Sequence, residues 1–374
     1  MHLPQMKYLA HAIPTGKRVL VTSDIHGHDA LFTQLLQKAA YSPEDILVVI
    51  GDIIDKGSES LKTLRRLMRL AEHGQVIALI GNVDAWRLYQ IDRIEESSAP
   101  AFYEYVVQQR AWYGTCFYEE MAAELGLVLE TPQDILDAKE AVIEHFAAEL
   151  DFLANLPTVV ETERYVFVHG GLRDQNMKAN LSRNLFDLLK YDQFAATEIV
   201  FDKYVVVGHW ATTLYCKNHP CNNPIMDHEK HILSIDGGCG VKRDGQLNML
   251  ILPHIDCSPE AIDFVACDDF PVFVAPADQA GSQDSLYINW LDNSITVLEE
   301  KEEFSYCRHT STGKTLWIYN QYIWQDKTSC GDSTDYRLPV AKGDRLSLLL
   351  QTSRDCLVKK DGTIGWYLNP QEGQ

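Results

Sequence analysis

The chain has 374 residues, the length of one large domain with insertions or of a large domain joined to a small one. Its 46% hydrophobic and 23% charged residues exclude wholesale disorder and a collagen-like rod. Fifty-three acids against 33 bases leave a net charge of −20, a field that repels phosphate backbones and excludes broad nucleic-acid binding.

The segment Met1 to Lys17 lacks the continuous apolar core of a signal peptide. The next 60 residues then keep a regular rhythm. Arg18 to Thr22 is a short apolar run, Asp29 to Ala40 is helical with Leu31, Leu35 and Leu36 on one stripe, and Ile46 to Ile50 is a buried-type strand. A second helix carries Leu61, Leu64, Leu67 and Met68 and ends at His73-Gly74, before a third strand, Val76 to Ile80. Strand and helix alternating with short joints predict a parallel α/β sheet, whose ligands bind beyond the carboxyl ends of the strands.

A helical insertion is expected over about 85–156, followed by strands at Tyr165 to Val168, Tyr204 to Val207, Ile232 to Ile235 and Leu247 to Leu252. Cys216, His219 and Cys221, between the second and third of these, read as a surface loop. Beyond Pro259 helical periodicity ends, and alternating aromatic and β-branched residues predict a small β domain. The expected division is therefore residues 1–255, a linker over 256–284, and a β domain over 285–374. No apolar run approaches the ~20 residues of a membrane span. Nine cysteines without a Cys-x-x-Cys pair suit a reducing cytoplasm.

The residues just after the strands carry the chemistry. The first strand runs into Asp24-Ile25-His26-Gly27-His28, the second into Gly51-Asp52-Ile53-Ile54-Asp55-Lys56-Gly57, and the third into Gly81-Asn82-Val83-Asp84. Later strands lead into His169-Gly170-Gly171 and Gly208-His209. One such motif alone is a turn; five at successive strand ends are expected to converge on one face of one sheet. Asp24 and His26, two apart in extended chain, point the same way and can reach one cation. Asp52 can bridge two cations, and Asn82, His169 and His209 complete the second site. Mixed nitrogen and oxygen donors suit manganese first, with iron or zinc as alternatives. Two such divalent metal ions can clamp a phosphoryl group and activate a water.

With these motifs, residues from Val19 to Leu252 resemble the calcineurin-like metallophosphoesterases, and most of all bacterial phosphoprotein phosphatases and symmetrical diadenosine tetraphosphatases. The run His231 to Leu252 also resembles the Asp-Thr-Gly strand pair near the end of that domain. The resemblance implies a four-layer αββα sandwich and a dinuclear metal centre that activates hydroxide. By the same likeness the ligands are Asp24, His26, Asp52, Asn82, His169 and His209. Two positions depart from the pattern. The family places a proton-donating His after the metal-binding Asn, where this chain has Val83, so Asp55 lacks its expected partner. Lys56 stands where phosphatases of this type have Arg, giving a point charge in place of a bidentate fork. His28 and Asp84 are candidates for the missing acid by proximity, and Arg173 is a candidate second phosphate contact.

The stretch Val340 to Leu368 resembles bacterial SH3-like domains, with Asp361-Gly362 as a tight turn before Gly365-Trp366, and implies a module for a peptide or protein partner. The expected activity is that of a serine/threonine phosphoprotein phosphatase. A dinucleoside polyphosphate hydrolase or phosphodiesterase is the enzymatic alternative, so the substrate is a phosphorylated protein or nucleotide. A metal- and phosphate-binding protein with impaired turnover is the alternative of another class.

Overall fold

In the computed structural model, which describes residues 1–10, 13–353 and 355–368, β1 (Tyr8–Ala10) precedes the regular series. That series is β2 (Val19–Thr22), α1 (Asp29–Lys38), β3 (Ile46–Ile50), α2 (Ser60–His73) and β4 (Gln75–Leu79). β2, β3 and β4 pair in parallel. The continuous apolar run of β3 has a physical cause. Leu47 and Val49 pack in the core shared with α1 and α2, while Ile46, Val48 and Ile50 pack in a second core with Phe167 and Val206. Both faces of the strand are dry, so no polar alternation appears. Each such side chain stabilises the fold by about 1.5–3 kcal/mol relative to exposure.

The helical insertion consists of α3 (Asn82–Asp92), α4 (Ala99–Tyr113), α5 (Phe117–Glu124), α6 (Pro132–His145) and α7 (Ala147–Ala154). α4 stops at Gly114 in the left-handed region at φ 85°, and α6 starts from a capping box between Thr131 and Asp134 with Pro132 in its first turn. β5 (Val159–Glu161), β6 (Tyr165–Val168), α8 (Met177–Leu181), α9 (Leu185–Leu189), β7 (Tyr204–Val207), β8 (Ile225–Asp227), β9 (Ile232–Ser234), β10 (Leu247–Leu252) and β11 (Asp263–Cys267) come next.

Two mixed sheets result, in the orders β11-β10-β2-β3-β4 and β1-β5-β6-β7-β9-β8. This corrects the expectation of a single sheet. β2, β3 and β4 lead into Asp24, Asp52 and Asn82 from one sheet, and β6 and β7 lead into His169 and His209 from the other. The sheets share the second core, and their strand ends meet at one edge, where the His169 ring lies 2.8 Å from the Ile50 carbonyl at the end of β3.

The remaining strands are β12 (Val272–Val274), β13 (Tyr287–Ile288), β14 (Ile295–Glu300), β15 (Phe304–His309), β16 (Thr315–Tyr319), β17 (Ser333–Thr334), β18 (Arg345–Gln351), β19 (Asp355–Lys360) and β20 (Thr363–Leu368). Among the described residues these strands pair with one another antiparallel, as a four-stranded sheet, a three-stranded sheet and a two-stranded ladder. Asp361 and Gly362 join β19 to β20 with φ of 48° and 77°, the two positive values of a type I′ hairpin turn.

The chain divides into two compact units, residues 1–211 with 224–268, and 212–223 with 269–374. Residues 256–284, expected as a linker, hold β11 and β12, and the change of unit falls between Asp268 and Asp269. Residues 369–374 of the expected β domain lie outside the described residues. Cys216 to Cys221, expected as a surface loop, falls in the segment 212–223, which is part of the C-terminal unit. Lys217 accepts from the Tyr287 amide, Asn222 donates to Gly362, and Pro220 accepts from Ile364. Among the described residues no helix is long and apolar enough to cross a membrane.

Candidate metal centre

Asp24, His26 and Asp52 each place one donor atom within 4.8 Å of the others, and all three are buried. The backbone forces this convergence. Asp24, His26 and Asp52 have φ of 53°, 49° and 50°, a left-handed conformation unfavourable to side-chain-bearing residues. Backbone bonds from Asp24 to Gly51 and from His26 to Asp52, each 3.0 Å, lock the two loops together.

Asp52 faces two ways. Its Oδ2 lies 3.6 Å from His26 Nε2, while its Oδ1 lies 3.3 Å from His169 Nε2 and accepts the Val83 amide at 2.8 Å. His169 Nε2 also lies 3.0 Å from Asn82 Oδ1. His209 donates its backbone amide to Asp24 Oδ2, and its ring lies 5.4 Å from that of His169, with Nε2 against Asp192 Oδ1 at 2.9 Å. Burial alone would raise the Asp52 carboxyl, but His169, His26 and Lys56 more than offset it and hold it well below the ordinary range.

Of the six side chains read as ligands, Asp24, His26 and Asp52 form one compact cluster, His169 lies against Asp52, and Asn82 and the His209 ring lie beside His169. Carboxylate and amide oxygens together with imidazole nitrogens in a dry cluster are a donor set that fits divalent ions such as manganese, iron or zinc. The glycines fit the same purpose. A Cβ on Gly208 would fall 2.2 Å from Asp24 Oδ2, and one on Gly81 would fall 2.1 Å from both the amide and Oδ1 of Asp52. Gly81 has φ −98°, open to any residue, so only space demands glycine there. Gly81→Ala is expected to cost about 1–3 kcal/mol by overpacking and to weaken manganese binding. Denaturant midpoints and calorimetry read both, and unchanged values would mean that the Asp52 loop yields freely.

The other expected residues lie less simply. Lys56 brings Nζ to 3.4 Å from His26 Nε2, at the cluster. His28 Nδ1 lies 2.7 Å from the His26 carbonyl, so this ring braces its own turn. Asp84 is buried and accepts the amides of Gly81, Ile53 and Ile54, capping α3 and clamping the second loop to it. Burial first, then the Asp52 charge, raise its carboxyl to about 7. Asp55 does have a partner. Its Oδ2 accepts from Arg87 Nε at 2.6 Å and its Oδ1 from the Phe117 amide at 2.8 Å. Arg173 stacks on Tyr191 at 3.6 Å and donates to the carbonyls of Asp187 and Lys190, so its guanidinium braces α9 and the turn after it.

Sequence reasoning matched the run that holds Asp236, just beyond β9, but gave that residue no place in the site. It is buried, accepts the Gly238 amide at 2.7 Å, and acts electrostatically on both Asp24 and Asp52. Burial is the largest influence raising it to about 6. The signal was present, since Ile235-Asp236-Gly237 again sets a polar residue beside glycine at a strand end.

Residues 17–231 match the family model of the calcineurin-like phosphoesterases. Since this is more than half of the chain, the protein belongs to that family of metal-dependent phosphoester hydrolases. Among characterised relatives, serine/threonine-protein phosphatase 2 of Salmonella typhimurium is 29% identical over 139 residues, covering 36% of this chain and 59% of the relative. The match thus spans about three-fifths of that relative's length. A serine/threonine phosphatase structure from Saccharomyces cerevisiae is 13% identical with a TM-score of 0.45, covering 72% of this chain and 86% of that one. A protein-tyrosine phosphatase structure from a Shewanella species is 13% identical with a TM-score of 0.40, covering 67% and 80%.

Proposed function

We propose that this chain hydrolyses phosphate esters of proteins at a dinuclear metal centre. Asp24, His26 and Asp52 hold one ion, and Asp52, Asn82, His169 and His209 hold the other. The observation that carries this reading is the double aspect of Asp52, with one oxygen toward His26 and the other toward His169. When bound, two divalent ions supply Lewis acidity to the phosphoryl group and a nucleophilic water at neutral pH. The chain's own part is to position and to hold charge. Lys56 places an ammonium beside His26 for a phosphate oxygen, and Asp192 fixes the ring of His209.

The similarity to the Salmonella phosphatase supports a phosphoprotein substrate. The four-layer αββα arrangement and a cytoplasmic site of action belong to the same reading. So does an SH3-like, partner-binding role for the C-terminal β unit, where Trp290, Trp317 and Trp324 are exposed. One observation favours a narrower set of esters. Val83 cannot donate a proton, and both oxygens of Asp55 are engaged away from it by Arg87 and Phe117. A missing general acid costs about 10²–10⁴-fold, most for alkoxide leaving groups and least for aryl or anhydride ones.

Side-by-side hydrolysis of a phosphopeptide, an aryl phosphodiester and diadenosine tetraphosphate by manganese-loaded protein tests the proposal, and turnover of none of them overturns it. Val83→His is expected to raise kcat/KM on a phosphoserine peptide by less than about tenfold, short of the ~10²–10⁴ of a working general acid. The new ring has no free carboxylate to orient it. A larger gain would show that Asp55 can leave Arg87.

A further inference from the structure

The helix that begins at the metal centre carries an aromatic stripe that the metal chemistry does not use. Residues four apart on a helix lie one above the other, about 6 Å along the axis, so Trp86 shares a face with Asn82. Helical side chains lean toward the N-terminus, which tips Trp86 toward the metal end of α3. Trp86 is 52% exposed, although it is one of the largest apolar side chains in the protein. Its ring meets Phe186 edge-on at 6.0 Å, and Phe186 also touches Tyr89 at 5.9 Å.

Phe186 belongs to α9, which is fastened to the metal centre by a separate route. The Leu188 carbonyl accepts the amides of Gly170 and Gly171, directly after His169. The aromatic group is therefore held on one side by α3, which begins with Asn82, and on the other by α9, which is hydrogen-bonded to the loop after His169. A cavity of about 210 Å³ opens beside Trp86, between α3 residues Trp86, Tyr89 and Gln90 with Arg93, and Ser98, Ala101 and Phe102 at the start of α4. The Arg93 guanidinium lies 5.8 Å from the Tyr89 ring and forms no ion pair among the described residues.

We infer that the Trp86–Phe186 face is the leaving-group subsite of this enzyme and that it takes the phenyl ring of a phosphotyrosine side chain. The inference rests on the hydrolase reading above and narrows it. Three independent features select the aryl ester. A phenolate leaves without the proton that Val83 cannot give. A phenyl ring lies directly behind its phosphate, as Trp86 lies one turn from Asn82, and stacks well on indole. Arg93, at the far end of the same stripe, offers a cation to an acidic residue flanking the phosphotyrosine in a peptide.

The test compares kcat/KM of manganese-loaded wild type, Trp86→Ala and Trp86→Phe on a phosphotyrosine peptide, the matched phosphoserine peptide and ATP. Calorimetric binding of phenylphosphonate and methylphosphonate to the same proteins accompanies it. Wild type is expected to favour phosphotyrosine over phosphoserine by about 10²-fold or more, the scale of a general acid made unnecessary. Trp86→Ala should narrow that ratio by about tenfold, the scale of an aromatic contact with its buried area, and Trp86→Phe should restore most of it. Phenylphosphonate should bind more tightly than methylphosphonate in wild type and lose that advantage in Trp86→Ala. An unchanged ratio and unchanged phosphonate preference in Trp86→Ala overturn the subsite. Preference for ATP that depends on Trp86 overturns the aryl assignment in favour of a nucleobase. Absence of turnover on every substrate removes the hydrolase reading instead, while the phosphonate comparison still decides the subsite.

Discussion

Asp52→Asn is expected to abolish phosphopeptide turnover while leaving the fold intact. The amide has nearly the shape of the carboxylate, but it carries no charge and only one acceptor oxygen. Asp52 turns one oxygen to His26 and the other to His169 and the Val83 amide, so either orientation of the amide puts an NH₂ group where a donor atom for a cation is needed. Changing groups that merely support a ligand already costs about 10–100-fold in metal affinity or activity, and Asp52 should exceed that range. Manganese titration by calorimetry should show weaker binding, and turnover at saturating manganese should fall below about one-hundredth. Full turnover with full metal loading would remove Asp52 from the centre of the site.

Arg87→Ala is expected to be among the most destabilising single changes in the chain. Arg87 and Asp55 are 4% and 1% exposed at their side chains, and the guanidinium also stacks on Tyr105 at 3.6 Å. Removing one member of a buried pair strands the other, at a cost of about 3–5 kcal/mol. Asp55→Asn placed on Arg87→Ala should recover part of that loss, because the stranded group is then neutral, and a double-mutant cycle in urea measures the coupling. A loss below about 1 kcal/mol, the level of an exposed pair, would mean that water reaches Asp55. The same pair joins the second metal loop to α3 and to the start of α5, so the variant should also loosen the metal site.

The strands that build the site were legible because their causes are local. Ile46 to Ile50 matches β3 to the residue, since a strand dry on both faces must be an unbroken apolar run. The loops after β2, β3, β4, β6 and β7 were legible because side chains at strand ends need glycine neighbours to approach one another. Which sheet each strand joins was not legible, because Val-His-Gly after β6 looks the same whichever sheet holds it. The partner of Asp55 was hidden for a related reason. The sequence shows Arg87 as one cation on a helix and gives no sign that it is buried. Asp236 was given no role although its run was matched and it stands beside glycine at a strand end, and Arg173 looked free for phosphate because stacking on Tyr191 leaves no mark in the spacing. The docking of residues 212–223 into the C-terminal unit was also invisible, since Cys216 to Cys221 has the composition of an ordinary surface turn.

That docking sets an order of events during synthesis. Residues 212–223 leave the ribosome well before Tyr287, Gly362 and Ile364, the residues that supply or receive their backbone hydrogen bonds. Domains fold in the order in which they emerge, yet this one cannot finish in that order. A nascent chain that has reached Asp268 already contains Asp24, Asp52, His169 and His209, but the segment starting three residues after His209 still has no strands to hold it. Closing so long a connection is slow compared with forming local pairs. Tyr287 offers the first fastening, and the later hairpin of β19 with β20 adds those at Gly362 and Ile364.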